Sequence, residues 1–241
     1  MDDVSILDSF REFTPGHMAL SDHEVHVYAV PLAGDGERYA EWLSKDEVVR
    51  ADRYRILDHR RRYTIAHGAL RIVLGCYLSK DPASLEFDYG TRGKPALRGD
   101  GPHFNLSHSA HLAMIAVAQQ PVGIDCEKTR RLERLLDIGK RQFATAEYVA
   151  LQKLPEADRL QAFYRCWTRK EAYVKALGLG LAALDVFDVD LGEKPQFLEL
   201  RDGEDIATWS LLDVSPSTDF TAACAVRMPR AKAVTYRFGA L

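Results

Sequence analysis

The chain has 241 residues, 46% of them hydrophobic and 28% charged, with a formal net charge of −3. The length suits one large domain or two of about 120 residues each, and the composition excludes a fibrous or disordered chain. The small negative charge excludes a general nucleic-acid binder, and the longest wholly apolar run, Leu112 to Ala118, is far short of the ~20 helical residues that span a bilayer.

The first residues, Met1 to Ser5, have neither the basic region nor the apolar core of a secretory leader. Four cysteines stand far apart, at 76, 126, 166 and 224, with no CxxC pair. A cytoplasmic protein with reduced cysteines is expected.

In chain order, His23 to Pro31 alternates like a strand, with Val25, Val27 and Ala29 on one side. Ser44 and Glu47 form a capping box that opens a helix predicted to run to about Leu57. A second helix is predicted over about Arg60 to Leu78, ended by Asp81-Pro82. Between Ser44 and Arg62 seven basic residues face four acids, which suits a small polyanion or a solvated helix face. Leu85 to Tyr89 reads as a strand and Gly90 to Pro95 as a turn. The segment Phe104 to Ser109 reads as a polar loop leading into the buried strand Leu112 to Ala118, and Val122 to Asp125 starts another strand.

Helical patterns follow at Leu132 to Phe143, Ala146 to Leu154 and Arg159 to Leu177, the last stopped by Gly178. Strands are predicted near 186–191, 196–200, 208–214, 220–226 and 233–238. Residues 69–118 and 172–226 echo each other at an offset near one hundred residues: an apolar helix end, then strands, a Gly-Lys-Pro turn or its Glu-Lys-Pro counterpart, and more strands. The expected fold is therefore α+β. Two similar halves, 1–120 and 121–241, each carry a long helix on an antiparallel sheet, with a ligand cleft between them.

Four groups of residues carry candidate chemistry. Asp125 and Glu127, two apart in an extended segment, point the same way and repel unless a cation or proton intervenes. They form either a solvated strand end or an all-oxygen Mg²⁺ site. Ser107 and His108 are either phosphate donors or turn residues, and Lys94 is fixed between Gly93 and Pro95. Helical spacing puts Trp167, Glu171 and Lys175 on one face. The last two are either a surface ion pair or groups that hold a metal and a phosphate.

Together these segments resemble the 4′-phosphopantetheinyl transferases of the surfactin-synthetase-activating type. Three signatures match in order: GKP with FNLSHS (93–95 and 104–109), VGIDCEK (122–128), and FATAE (143–147) followed by WTRKEAYVKALGLGL (167–181). The resemblance spans roughly residues 44–200. It implies transfer of the phosphopantetheine arm of coenzyme A to a serine of an acyl or peptidyl carrier protein, with release of adenosine 3′,5′-bisphosphate. It further implies Asp125, Glu127 and Glu171 as Mg²⁺ ligands and Glu171 as the base, with Glu147 beside it. Lys175 would contact the pyrophosphate. Ser107, His108, Lys94 and Arg62, with Arg50 further out, would hold the adenosine phosphates. The pseudo-duplicated chain implies a monomer, and the charge and the short apolar runs lead to the expectation of neither nucleic acid nor membrane as a partner. A Mg²⁺-dependent phosphodiesterase and a non-catalytic module that binds nucleotides or carriers are the rival expectations.

Overall fold

The structure is a computed structural model and describes residues 9–180 and 183–239. The N-terminal residues read above for a leader, and Leu181 at the end of the third signature, lie outside the described residues. In chain order the elements are β1 (Arg11–Phe13), β2 (Glu24–Pro31), α1 (Glu37–Ala40), α2 (Lys45–Asp52), α3 (Leu57–Leu78), β3 (Phe87–Tyr89), β4 (Pro95–Leu97), β5 (His103–Ser109), β6 (Leu112–Ala118) and β7 (Val122–Lys128). Then come α4 (Leu135–Gln142), α5 (Thr145–Lys153), α6 (Glu156–Leu177), β8 (Phe187–Val189), β9 (Phe197–Leu200), β10 (Ser210–Asp213), β11 (Phe220–Val226) and β12 (Lys232–Phe238). The chain is α+β, as its patterning indicates. Among the described residues no helix is long and apolar enough to cross a membrane.

A five-stranded sheet has the order β1-β12-β2-β6-β5, and a three-stranded sheet the order β10-β11-β7. Side-chain alternation decides the layering. On β2 and β6, Tyr28, Val30, Ile115 and Val117 pack with Ile65, Ala69 and Val73 of α3. Their neighbours Val25, Val27, Met114 and Ala116 face Val122, Ile124, Cys224 and Val226 of the smaller sheet. The other face of that sheet, through Ala223 and Ala225, meets Ala172 and Ala176 of α6. The order is therefore α3, large sheet, small sheet, α6. Strands buried on both faces have no polar side to show, so β6 and β11 read as continuous apolar runs.

Helix α2 opens on the expected capping box: the Ser44 hydroxyl accepts from Glu47 N–H, and the Glu47 carboxylate accepts from Ser44 N–H. It stops at Asp52 rather than near Leu57, and α3 begins at Leu57 rather than Arg60. A corner at 53–56 separates them, because only Glu47 and Ala51 of α2 are buried and its apolar Val48 and Val49 lie outside the core. Helix α6 ends on Gly178 with φ +70°, a left-handed cap where a side chain would be strained.

One expectation is corrected. Residues 104–109 form a strand of the large sheet, paired with β6, and not a loop. The last strand, β12, runs parallel between β1 and β2 and so joins the larger sheet.

Candidate active site

Strands β5 and β7 are the facing edges of the two sheets, and polar side chains stitch them together. Alternation on β5 turns Asn105, Ser107 and Ser109 toward β7. The Asn105 Oδ1 accepts from Ile124 N–H (2.8 Å). The Ser107 hydroxyl donates to Asp125 Oδ1 (2.9 Å), and Ser109 to Glu127 Oε2 (2.7 Å). Ser109 Oγ also accepts from Lys128 N–H (3.1 Å). The polar members of FNLSHS thus replace backbone pairing along a seam where two sheets meet.

Helix α6 closes over this seam. It comes so near β7 that a Cβ on Gly123 would lie 2.1 Å from Ala172 O and 2.3 Å from Ala176 N. Glycine is needed here for that approach. The approach brings Lys175 Nζ to 2.5 Å from Asp125 Oδ1 and 3.1 Å from Ser107 Oγ. Asp125 Oδ2 and Glu171 Oε1 are buried and accept no hydrogen bond among the described residues. Burial pushes the Glu171 carboxyl up, and the negative Asp125 adds to it. Burial also raises Glu127, with Asp125 adding and the Ser109 hydrogen bond opposing. Three acids with two oxygens lacking donors make a centre short of positive charge, since a buried acceptor without a donor costs ~1–3 kcal/mol. Among the described residues no three His, Cys, Asp or Glu side chains are grouped closely enough to hold a metal ion by themselves.

The opposite side of β5 faces a different environment. His108 lines a cavity of about 440 Å³ with Tyr54, His59, Arg62, Tyr63, Lys128 and Arg130. Arg62 spans its wall, donating to Ala110 O (2.6 Å) and pairing with Asp58 (2.6 Å). Burial lowers the His108 ring, and nearby His67, Lys175 and Arg62 lower it further. Burial pushes the Tyr63 hydroxyl up to about 12, which the adjacent Arg50 partly offsets. A concave, cationic, aromatic-walled cavity one strand away from an acid cluster suits a polyphosphate. The sequence had indicated His108, Arg62 and Arg50. It had not indicated His59, Tyr63, Lys128 or Arg130. Of these, only Lys128, the last residue of VGIDCEK, carries any signal in the sequence.

Two further residues expected at the site have hydrogen-bond partners of their own. Glu147 is 2% exposed and accepts from Lys170 Nζ (2.8 Å), Val189 N–H (2.8 Å) and Ala144 N–H (2.8 Å). It joins α5 and β8 to α6, and burial raises its carboxyl while Lys170 opposes the rise. The Lys94 ammonium donates to Val122 O (3.1 Å) and Ala176 O (2.7 Å). It thereby ties the start of β7 to the last turn of α6, where helix carbonyls lack intrahelical partners. Burial lowers Lys94 to about 8. Trp167 packs on Phe163, with ring centroids 6.1 Å apart, as a support of α6.

Residues 121–225 match the model of the 4′-phosphopantetheinyl transferase superfamily. The chain is 40% identical over 222 residues to the 4′-phosphopantetheinyl transferase HetI of a Nostoc species, covering 88% of this chain and 91% of that protein. It is 31% identical over 186 residues to the 4′-phosphopantetheinyl transferase Sfp of Bacillus subtilis, covering 76% and 82%.

Proposed function

The chain belongs to the 4′-phosphopantetheinyl transferase superfamily and is an enzyme of that kind, and from this premise we propose that it moves the phosphopantetheine arm of coenzyme A to a serine of an apo acyl or peptidyl carrier protein, Mg²⁺-dependently. The observation that carries the proposal is the pair of donor-free carboxylate oxygens on Asp125 and Glu171, beside Lys175 and one strand away from a cationic cavity. The two helix-on-sheet halves are related repeats in this proposal, with the site between them, and one chain is the working unit.

The bisphosphate end of coenzyme A lies in the cavity of His108, Arg62 and Arg130, with Arg50 beside Tyr63 of its wall. Asp125 and Glu171 would hold the cation, with Glu127 the third expected ligand. Two available carboxylate oxygens suit Mg²⁺, which binds through one or two carboxylates and completes its shell with water and substrate phosphates. When bound, it neutralises the pyrophosphate and orients it. Lys175 faces the pyrophosphate from the Asp125 side. Glu171 takes the proton of the carrier serine as its oxygen attacks the β-phosphorus. The bond from that phosphorus to the bridging oxygen breaks, and adenosine 3′,5′-bisphosphate leaves with the electron pair. His108 and Arg62 stabilise the charge that grows on it. Glu147 and Lys94 act as supports that hold α6 in place.

The test is to incubate the protein with coenzyme A, Mg²⁺ and a purified apo carrier, and to weigh the carrier. A carrier that gains one arm, with equimolar bisphosphate and no gain in excess chelator, supports the proposal. Coenzyme A cleaved without a carrier means a phosphodiesterase. Coenzyme A bound without turnover means a binding module.

A further inference from the structure

The corner between α2 and α3 exposes apolar surface that the fold does not use. Five of the ten exposed large apolar side chains among the described residues lie between Val48 and Leu57, and Leu57 is 78% exposed. The corner also forgoes local stability. Ile56 stands at the N-cap of α3 with no side-chain cap, where Ser, Thr, Asp or Asn would accept a hydrogen bond from the first turn. Such clustering marks an interaction surface more than chance exposure does.

Charge says what kind of partner fits. Of the four acids between Ser44 and Arg62, Asp52 and Asp58 are engaged by Arg60, Arg61 and Arg62, Glu47 is buried against Arg71, and Asp46 lies exposed in the first turn of α2. Arg53 and Arg55 have no carboxylate partner among the described residues and stand exposed among the apolar side chains. The corner is therefore apolar with a positive rim, on a chain whose net charge is −3. It is also continuous with the candidate site. Tyr54, in the middle of the corner, lines the cavity that holds His108 and Arg130, and packs on His59 and Tyr63 of the same wall.

We propose that this corner docks the apo carrier protein, receiving an acidic helix with apolar side chains and so bringing the carrier serine to the mouth of the cavity. The inference rests on the transferase function proposed above and adds the surface that selects the carrier. Arg53 and Arg55 steer the acidic helix, and Ile56 and Leu57 cover its apolar residues once it has docked.

The experiment uses the full chain, coenzyme A and a purified apo acyl carrier protein, with KM measured separately for carrier and for coenzyme A. Two paired variants are compared with wild type: Arg53→Glu with Arg55→Glu, and Ile56→Ser with Leu57→Ser. Both pairs are solvent-exposed, and a thermal melt checks that each variant folds. Each is expected to raise the carrier KM at least about tenfold while the KM for coenzyme A stays within about twofold. Lysine in place of acids on the carrier helix should restore part of the loss in the charge-reversed enzyme. Wild-type loading with an unchanged carrier KM in both variants overturns the docking surface and leaves the transferase standing. A wild type that loads no carrier overturns the transferase function and this surface with it. A concentration-dependent dimer that the serine pair abolishes, with carrier KM unaffected, assigns the corner to self-association instead.

Discussion

Gly123→Ala is the substitution that the packing of α6 makes most informative. The added methyl would sit 2.1 Å from Ala172 O, 2.3 Å from Ala176 N and 2.9 Å from Lys175 C. All three are backbone atoms of one helix, so no rotamer change relieves the clash. Ordinary contact needs about 3.5 Å, so α6 must retreat by roughly 1.4 Å, since interiors are packed without spare volume. Overpacking of this kind costs ~1–3 kcal/mol, and a clash with rigid backbone belongs at the upper end. For a chain of this size about 3 kcal/mol lowers Tm by roughly 6–12 °C. The same retreat lengthens the 2.5 Å contact from Lys175 to Asp125 and moves Glu171 with it. A displacement near 1 Å at reacting groups costs ~10²-fold in rate. Thermal melts and carrier loading, the latter well below Tm, read the two effects separately. Gly90→Ala is the control, because a Cβ there meets only Lys94 O at 3.6 Å. Wild-type Tm and wild-type turnover in Gly123→Ala would refute the close-approach reasoning.

Glu171→Gln removes the proposed base and is expected to lower kcat by ~10²–10⁴-fold. Because it also relieves repulsion with Asp125, it should melt no lower than wild type; near-normal turnover removes Glu171 from the chemistry. Lys170→Met strands the buried Glu147 carboxylate and should cost ~3–5 kcal/mol in denaturant unfolding, with the KM for coenzyme A unchanged in the folded protein. Full stability combined with lost kcat would return Glu147 to the active site. Lys94 supplies a pH test: its folded value is about 8 against an ordinary 10.5, so between them the unfolded chain binds the extra proton. Stability conferred by wild-type Lys94, relative to Lys94→Met, should therefore rise with pH across that window and fall as pH drops through 8. Denaturant midpoints with identical pH slopes in the two proteins would contradict it.

Much of this molecule is legible in the chain itself. Periodicity marks α3 and α6, the run Leu112 to Ala118 and the glycine stop at 178, because these follow from local geometry and from the need to bury one face. The acids at 125, 127 and 171 and the lysine at 175 are legible for a related reason: a two-residue or four-residue spacing sets a common side. The alternation of Asn105, Ser107 and Ser109 was also present, but a polar strand edge has the same composition as a loop. Only tertiary structure distinguishes them, by supplying β7 as the partner of those polar atoms. Tertiary structure alone likewise decides that β12 returns to the first sheet and that Lys94 reaches Ala176 across 82 residues of chain. It also joins Glu147 to Lys170 and Val189, and shows Gly123 as the point of contact with α6. Periodicity states which face of an element is buried. What it is buried against is set by long-range packing, and that decides whether a charged side chain supports the fold or serves the site.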